Sequence, residues 1–128
     1  NGDGIDDIVM GAVGTDYNGR SFSGSVYVYF GRTSGWSSSA YGLGTATHWN
    51  GVNGFRLDGI VGSSQIGSPL AVADLNGDGA DDILTTEMIS ADELIYFGRP
   101  GPFSATPVDL ASASIWNGIT GARLRDIA

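Results

Sequence analysis

The chain has 128 residues, with 21 Gly, no Cys, and 14 acidic against 6 basic residues, for a formal net charge of −8. That length suits one ordinary domain or a few units of a repeat. The lack of Cys excludes disulfides, thiolate metal sites and a cysteine nucleophile, all six basic residues are Arg, which excludes lysine chemistry, and the acidity opposes binding to a polyanion. A hydrophobic fraction of 41% suffices for a folded core, and no apolar run approaches the roughly 20 residues that span a bilayer. The chain opens on Asn1-Gly2-Asp3-Gly4, as from the interior of a motif, so a processed or larger parent is expected.

In chain order, an acidic turn (NGDGIDDI, 1–8) leads into a strand predicted over Ile8–Ala12. A Gly-bounded polar stretch over 14–24 precedes a strand over 25–31, and a third strand is expected within 48–57. A fourth follows over 69–75, then a second acidic turn (NGDGADDI, 76–83). Strands over Asp82–Glu87, 93–97 and around 115–124 complete the series. The apolar segments are short and rich in β-branched and aromatic residues, and none sustains a helical period, so the fold class is all-β.

The order contains a repeat. Tyr29-Phe30-Gly31-Arg32 returns as Tyr96-Phe97-Gly98-Arg99, Trp49-Asn50-Gly51 as Trp116-Asn117-Gly118, and Gly54-x-Arg56-Leu57 as Gly121-x-Arg123-Leu124, each 67 residues on. The acidic turns lie 75 apart, so the first copy carries 8 extra residues, placed within 14–24. Copies over 1–61 and 62–128 result, and the first lacks the counterpart of 62–75, which contains one strand. Units of four antiparallel strands suit propeller blades, in which radial repetition protects short edges. About two blades make an incomplete ring, because closure takes roughly four to eight.

Seven of the 14 acidic residues (Asp3, Asp6, Asp7, Asp74, Asp78, Asp81 and Asp82) crowd into the two turns. Carboxylates so close repel one another unless a cation neutralises them. In the second turn, Asp74, Asn76, Asp78 and Asp82 put side-chain oxygens at positions 1, 3, 5 and 9, and Ala80 at position 7 offers its carbonyl. A hard cation taking six to eight oxygens, Ca²⁺ rather than Mg²⁺, fits that spacing. Gly79 at position 6 permits the sharp turn, but position 12 is Thr85 and strands flank the loop, so it is not an EF-hand. The first turn supplies Asn1, Asp3, the Ile5 carbonyl and Asp7, without a position 1 Asp.

These residues resemble the FG-GAP repeat of integrin α-subunit propellers and their bacterial relatives. The family pattern is Phe-Gly, an Asp-x-Asn-x-Asp-Gly-x-x-Asp loop, a Gly-Ala-Pro step and a Gly-x-Val-Tyr-Val-Phe strand. Ile66-Gly67, Gly11-Ala12-Val13 and the run Gly24 to Tyr29 stand in those places here, while the second copy has Thr85-Thr86-Glu87 at the Gly-Ala-Pro step. The resemblance implies a β-propeller with structural Ca²⁺ in the hairpins and ligands on the opposite face. Mapped onto this chain, that face holds Asp16, Tyr17, Asn18, Arg20 and Phe22 of the insertion and the connection over 58–68.

The expected function is thus a non-enzymatic, calcium-stabilised extracellular module for adhesion or recognition, with a protein or glycan ligand. Self-assembly by strand addition between chains and a lectin-like module are the alternatives. His48, the only histidine, corresponds to Ile115 and reads as a strand residue, and no Gly-x-Ser-x-Gly elbow is present. Trp49, Trp116 and the recurring Arg32, Arg56, Arg99 and Arg123 read as structural.

Overall fold

A computed structural model describes residues 1–125 as two four-stranded sheets with three short 3₁₀ turns and no α-helix among them. The strands are β1 (Ile8–Ala12), β2 (Ser25–Tyr29), β3 (Gly54–Asp58), β4 (Leu70–Ala73), β5 (Asp82–Glu87), β6 (Asp92–Tyr96), β7 (Val108–Asp109) and β8 (Gly121–Leu124). The last three residues of the second copy, 126–128, lie outside the described residues.

The second sheet is an antiparallel meander ordered β4-β5-β6-β8, as a propeller blade requires. In the first sheet β1, β2 and β3 repeat the last three strands of that meander. Even the register recurs: Ile8 faces Tyr29 as Ile83 faces Tyr96, and Tyr29 faces Gly54 as Tyr96 faces Gly121. The fourth strand of the first sheet departs from the antiparallel expectation. It is β7, which runs parallel to β3 and belongs by sequence to the second copy. The segment between β6 and β8 thus reaches across and stitches one blade to the other. The result is a partial propeller of two blades.

Strand alternation sends Val26 and Val28 to one face of β2 and Tyr27 and Tyr29 to the other. The first face, with Phe30, Phe55 and Leu57, packs against Ile66, Ile83, Leu94, Tyr96, Val108 and Leu110, forming the core between the sheets. There Phe55 and Phe103 stack with ring centres 4.8 Å apart at 6°. Side chains as buried as Leu57 and Ile66 contribute about 1.5–3 kcal/mol each. The second face carries a separate cluster of Tyr27, Tyr29 and Trp49, against which Met10, Tyr17 and Tyr41 pack.

The strands predicted within 48–57 and 115–124 are shorter than expected. Trp-Asn-Gly is a turn and an anchor in both copies. A 3₁₀ turn, Ala46–His48 or Ala113–Ile115, precedes each Trp. Trp49 Nε1 donates to the Leu43 carbonyl at 2.6 Å, and Trp116 Nε1 to the Leu110 carbonyl at 3.0 Å, again 67 residues on. Asn50 Oδ1 then accepts from the Val52 and Asn53 amides, as Asn117 Oδ1 does from Ile119 and Thr120. An Asn side chain satisfying the amides two and three residues on reverses the chain before the strand starts.

Candidate metal centres

Each acidic turn is built by its own side chains. In the second, Asp74 Oδ1 accepts from the amides of Gly77 and Asp78 at 2.7 and 3.1 Å, and Oδ2 from Gly79 at 2.9 Å. Asn76 Oδ1 accepts from Asp78 and Asp78 Oδ1 from Ala80. In the first, Asn1 Oδ1 accepts from Asp3 and Asp3 Oδ1 from Ile5, the same two bonds. Gly77 and Gly79 have φ of 75° and 89°, and Gly2 and Gly4 have 74° and 85°, so the left-handed steps coincide as well. The Gly79 amide, with those of Gly77 and Asp78, holds the Asp74 carboxyl below the usual carboxylate range.

Position 9 plays a different part. Asp82 is fully buried, and its Oδ1 and Oδ2 accept from the amides of Gly98 (2.9 Å) and Leu75 (2.8 Å). Asp7 Oδ1 accepts likewise from Gly31 at 2.9 Å. The last carboxylate therefore ties the turn to the end of the third strand of its blade. Gly31 and Gly98 have to be glycines for steric reasons: a Cβ there would stand 2.1 Å from the carbonyl oxygen of Asp6 or Asp81. The recurrence of Tyr-Phe-Gly-Arg was the sequence signal for this contact, although only the structure shows what the Gly meets.

The two turns are neighbours in space. A Cβ on Gly2 would lie 3.2 Å from the Gly79 carbonyl oxygen, and both turns line one cavity of about 450 Å³ at the end of the inter-sheet core. Asp6, Asp7 and Asp81 border that cavity, and none of the residues lining it is an Arg. The available donors are carboxylate, amide and carbonyl oxygens, the hard set that Ca²⁺ prefers. Among the described residues, no three acidic, His or Cys side chains are drawn into a metal-sized group. The Asx bonds to backbone amides are what hold the side chains of the two turns in place here.

The insertion residues divide into two groups. Arg20 forks onto Asp109 of β7 (2.6 and 2.9 Å) and donates to the Gly59 carbonyl (2.8 Å). Tyr17 shares a 3.1 Å hydrogen bond with the Tyr27 hydroxyl, and its ring lies 3.4 Å beneath the Arg56 guanidinium. Arg20 therefore holds the crossing strand β7, and Tyr17 braces the first blade. Asp16, Asn18 and Phe22 are exposed; Asp16 Oδ1 accepts from the Phe22 amide, and Asn18 and Phe22 have φ of 57° and 53°. His48 is packed among the rings of Tyr29, Tyr41 and Trp49.

The chain is similar to part of two phospholipases. It is 32% identical over 116 residues to the phosphatidylinositol-glycan-specific phospholipase D of Bos taurus, covering 84% of this chain and 13% of that protein. With the Rattus norvegicus phosphatidylinositol-glycan-specific phospholipase D the identity is 35% over 99 residues, covering 77% and 11%. The chain therefore spans only about an eighth of the length of these relatives. No family model matches it. No solved structure does either. No helix among the described residues is long and apolar enough to cross a membrane.

Proposed function

We propose that this chain is a calcium-stabilised, non-enzymatic pair of FG-GAP-like propeller blades, working outside the cell as an adhesion or recognition module. The observation that carries the reading is the duplication of the acidic turn. Two turns 75 residues apart share their Asx bonds, their left-handed glycines and their tie to the third strand, and they meet across one acid-lined cavity. Asp74, Asn76, Asp78, the Ala80 carbonyl and Asp82 would hold one Ca²⁺, and Asn1, Asp3, the Ile5 carbonyl and Asp7 a second, weaker one. The ion's role is to neutralise like charges that otherwise repel across the turn. The exposed insertion residues Asp16, Asn18 and Phe22 present the ligand-facing surface. The similarity to a short stretch of larger phospholipases supports an accessory module within a bigger protein, with catalysis residing elsewhere.

Calcium titration by calorimetry, with thermal melting in calcium and in chelator, tests this. Heats of binding at about 10⁻⁴–10⁻³ M and a higher melting temperature in calcium are expected, the range of extracellular calcium modules. Identical melting in chelator and in millimolar calcium would remove the metal from the proposal.

A further inference from the structure

We propose that Asn18-Gly19 is a site of spontaneous covalent modification, at which the Asn18 side chain deamidates to aspartate and isoaspartate. The inference rests on the turn that holds this pair and not on the calcium reading. All six Asn of the chain (Asn1, Asn18, Asn50, Asn53, Asn76 and Asn117) precede a Gly, the neighbour that hinders attack on the side-chain amide least. In such a pair the Gly backbone nitrogen attacks Cγ of the Asn. The new N–Cγ bond replaces the Cγ–Nδ2 bond, and Nδ2 leaves as ammonia with the proton lost from the Gly amide. Water then opens the five-membered succinimide at either carbonyl, giving aspartate or isoaspartate. The reaction needs a free Gly N–H, an Asn amide that nothing holds, and room to turn one onto the other.

The structure grants these conditions unequally. In three pairs the attacking nitrogen is already engaged: Gly51 N donates to the Gly54 carbonyl (2.9 Å), Gly118 N to the Gly121 carbonyl (3.0 Å), and Gly77 N to Asp74 Oδ1 (2.7 Å). In the same pairs the Asn amide is held, because Asn50, Asn76 and Asn117 each accept at Oδ1 from a backbone N–H further along. Asn1 Oδ1 is held likewise by the Asp3 amide. Gly54 is buried at the start of β3, and Asn53 Nδ2 donates to the Thr47 carbonyl. Asn18 and Gly19 are both exposed. Among the described residues, neither the Asn18 side chain nor the Gly19 N–H makes a hydrogen bond.

The turn that has to open is also small. Asn18 and Gly19 have φ of 57° and 70°, a mirror-image turn closed by one bond from Arg20 N to the Tyr17 carbonyl at 3.1 Å. With ψ at 29° the Gly19 nitrogen points away from the Asn18 side chain, so attack waits until that bond breaks. Opening one exposed turn is among the least costly excursions of a fold, whereas Asn50, Asn53, Asn76 and Asn117 are released only with larger parts of a blade. Both products add a carboxylate beside Asp16, on the surface proposed to face the ligand. Isoaspartate also inserts a backbone methylene into a turn too tight to accommodate it. Arg20 follows directly and carries the fork to Asp109, so the modification reaches the crossing strand β7.

Peptide mapping by mass spectrometry, on the whole chain aged at mildly alkaline pH in native buffer and in denaturant, tests this. In native buffer the peptide holding Asn18 should be the first to gain the mass of deamidation, and its rate should rise with pH as the attacking amide loses its proton more readily. In denaturant the other Asn-Gly pairs should speed up far more than Asn18, which the fold protects least. Asn18→Gly, which suits the left-handed turn, should remove the early product and keep the wild-type circular dichroism. Aged wild type should also lose the part of its melting temperature that Arg20→Ala loses. A different Asn modified first in the folded chain would overturn the assignment. So would an Asn18 that stays intact while the denatured chain deamidates there, or an early product that survives in Asn18→Gly.

Discussion

The two carboxylates Asp82 and Asp78 sit in the same turn, yet their removal should read out differently. Asp82 is fully buried and holds the amides of Leu75 and Gly98. Asp82→Ala orphans both donors at about 1–3 kcal/mol each, and entering water relieves part of that, leaving about 2–4 kcal/mol lost in chelator as well as in calcium. Asp78 is exposed and accepts one amide, from Ala80. In chelator its loss should cost about 0.5–1 kcal/mol, offset by relief of repulsion from Asp74 and Asp82. Calcium changes the comparison. At about 10 mM, an ion with a dissociation constant of about 10⁻⁴–10⁻³ M stabilises the fold by about 1.4–2.7 kcal/mol per site. At roughly 3–5 °C per kcal/mol for a chain of this size, that is a shift of about 4–13 °C. Asp78→Ala should lose most of the second turn's share of it and keep the wild-type melting temperature in chelator. Paired thermal melts of the wild type and both variants, in calcium and in chelator, test this. An equal calcium shift in wild type and Asp78→Ala would refute ligation by this turn, and unchanged melting of Asp82→Ala in chelator would refute the scaffolding role.

Arg20→Ala removes the fork to Asp109 and the bond to the Gly59 carbonyl. Because the Asp109 side chain is 43% exposed, the ion pair is screened and the total cost should be about 1–2 kcal/mol. The Arg20 hydrogen bond holds the Asp109 carboxyl below its usual range, so this share of stability is present above the unfolded value near 4 and is lost as pH falls through the lowered folded value. Melting temperatures of wild type and variant should converge on acidification; a constant gap down to acid pH would contradict the assignment. Gly98→Ala forces a Cβ to within 2.1 Å of the Asp81 carbonyl oxygen and should cost about 1–3 kcal/mol, whereas Gly44→Ala meets nothing within 4 Å and should be neutral or slightly stabilising. Chemical denaturation compares the two, and equal midpoints would show that the close approach carries no energy.

Much of the architecture was legible because it is stated twice. The Tyr-Phe-Gly-Arg, Trp-Asn-Gly and acidic-turn repeats announce two equivalent β units, and β1 and β5 fall on the bounds the strand pattern predicts. What escaped the sequence lies between the copies. Two residues, Val108 and Asp109, make β7, and a pairing so short carries no period that could announce it. Its partner Arg20, which the resemblance maps onto the ligand-facing surface, binds an acid 89 positions away, too far for any local pattern to join the two. Trp-Asn-Gly was misread as part of a strand for a local reason: its aromatic content favours strands, but the Asn side chain competes for the backbone amides and wins.

The repeat also fails informatively at one place. Arg56 and Arg123 are equivalent, 67 positions apart, and each needs an acid. Arg56 forks onto Asp58 at 2.7 and 3.0 Å, with Ser25 Oγ donating to the same carboxylate from across the strand pair. In the second copy the position of Asp58 is Arg125 and that of Ser25 is Asp92. Compared position by position, these are two unrelated changes, each altering charge. In space they are one exchange. The carboxylate has crossed from the last strand to the start of the third and still meets the same guanidinium, with Arg123 Nη2 at 2.5 Å from Asp92 and Arg125 Nε at 3.4 Å. Burial works against the Asp92 charge, but the hydrogen bond and charge of Arg123 hold its carboxyl below the ordinary range. Replacing Asp58 by Arg alone would leave a largely buried guanidinium without its acid, at about 3–5 kcal/mol, whereas replacing Ser25 by Asp alone would set two buried carboxylates against one guanidinium. The blade therefore preserves a charge pair at a point in space, and it leaves open which strand delivers each partner.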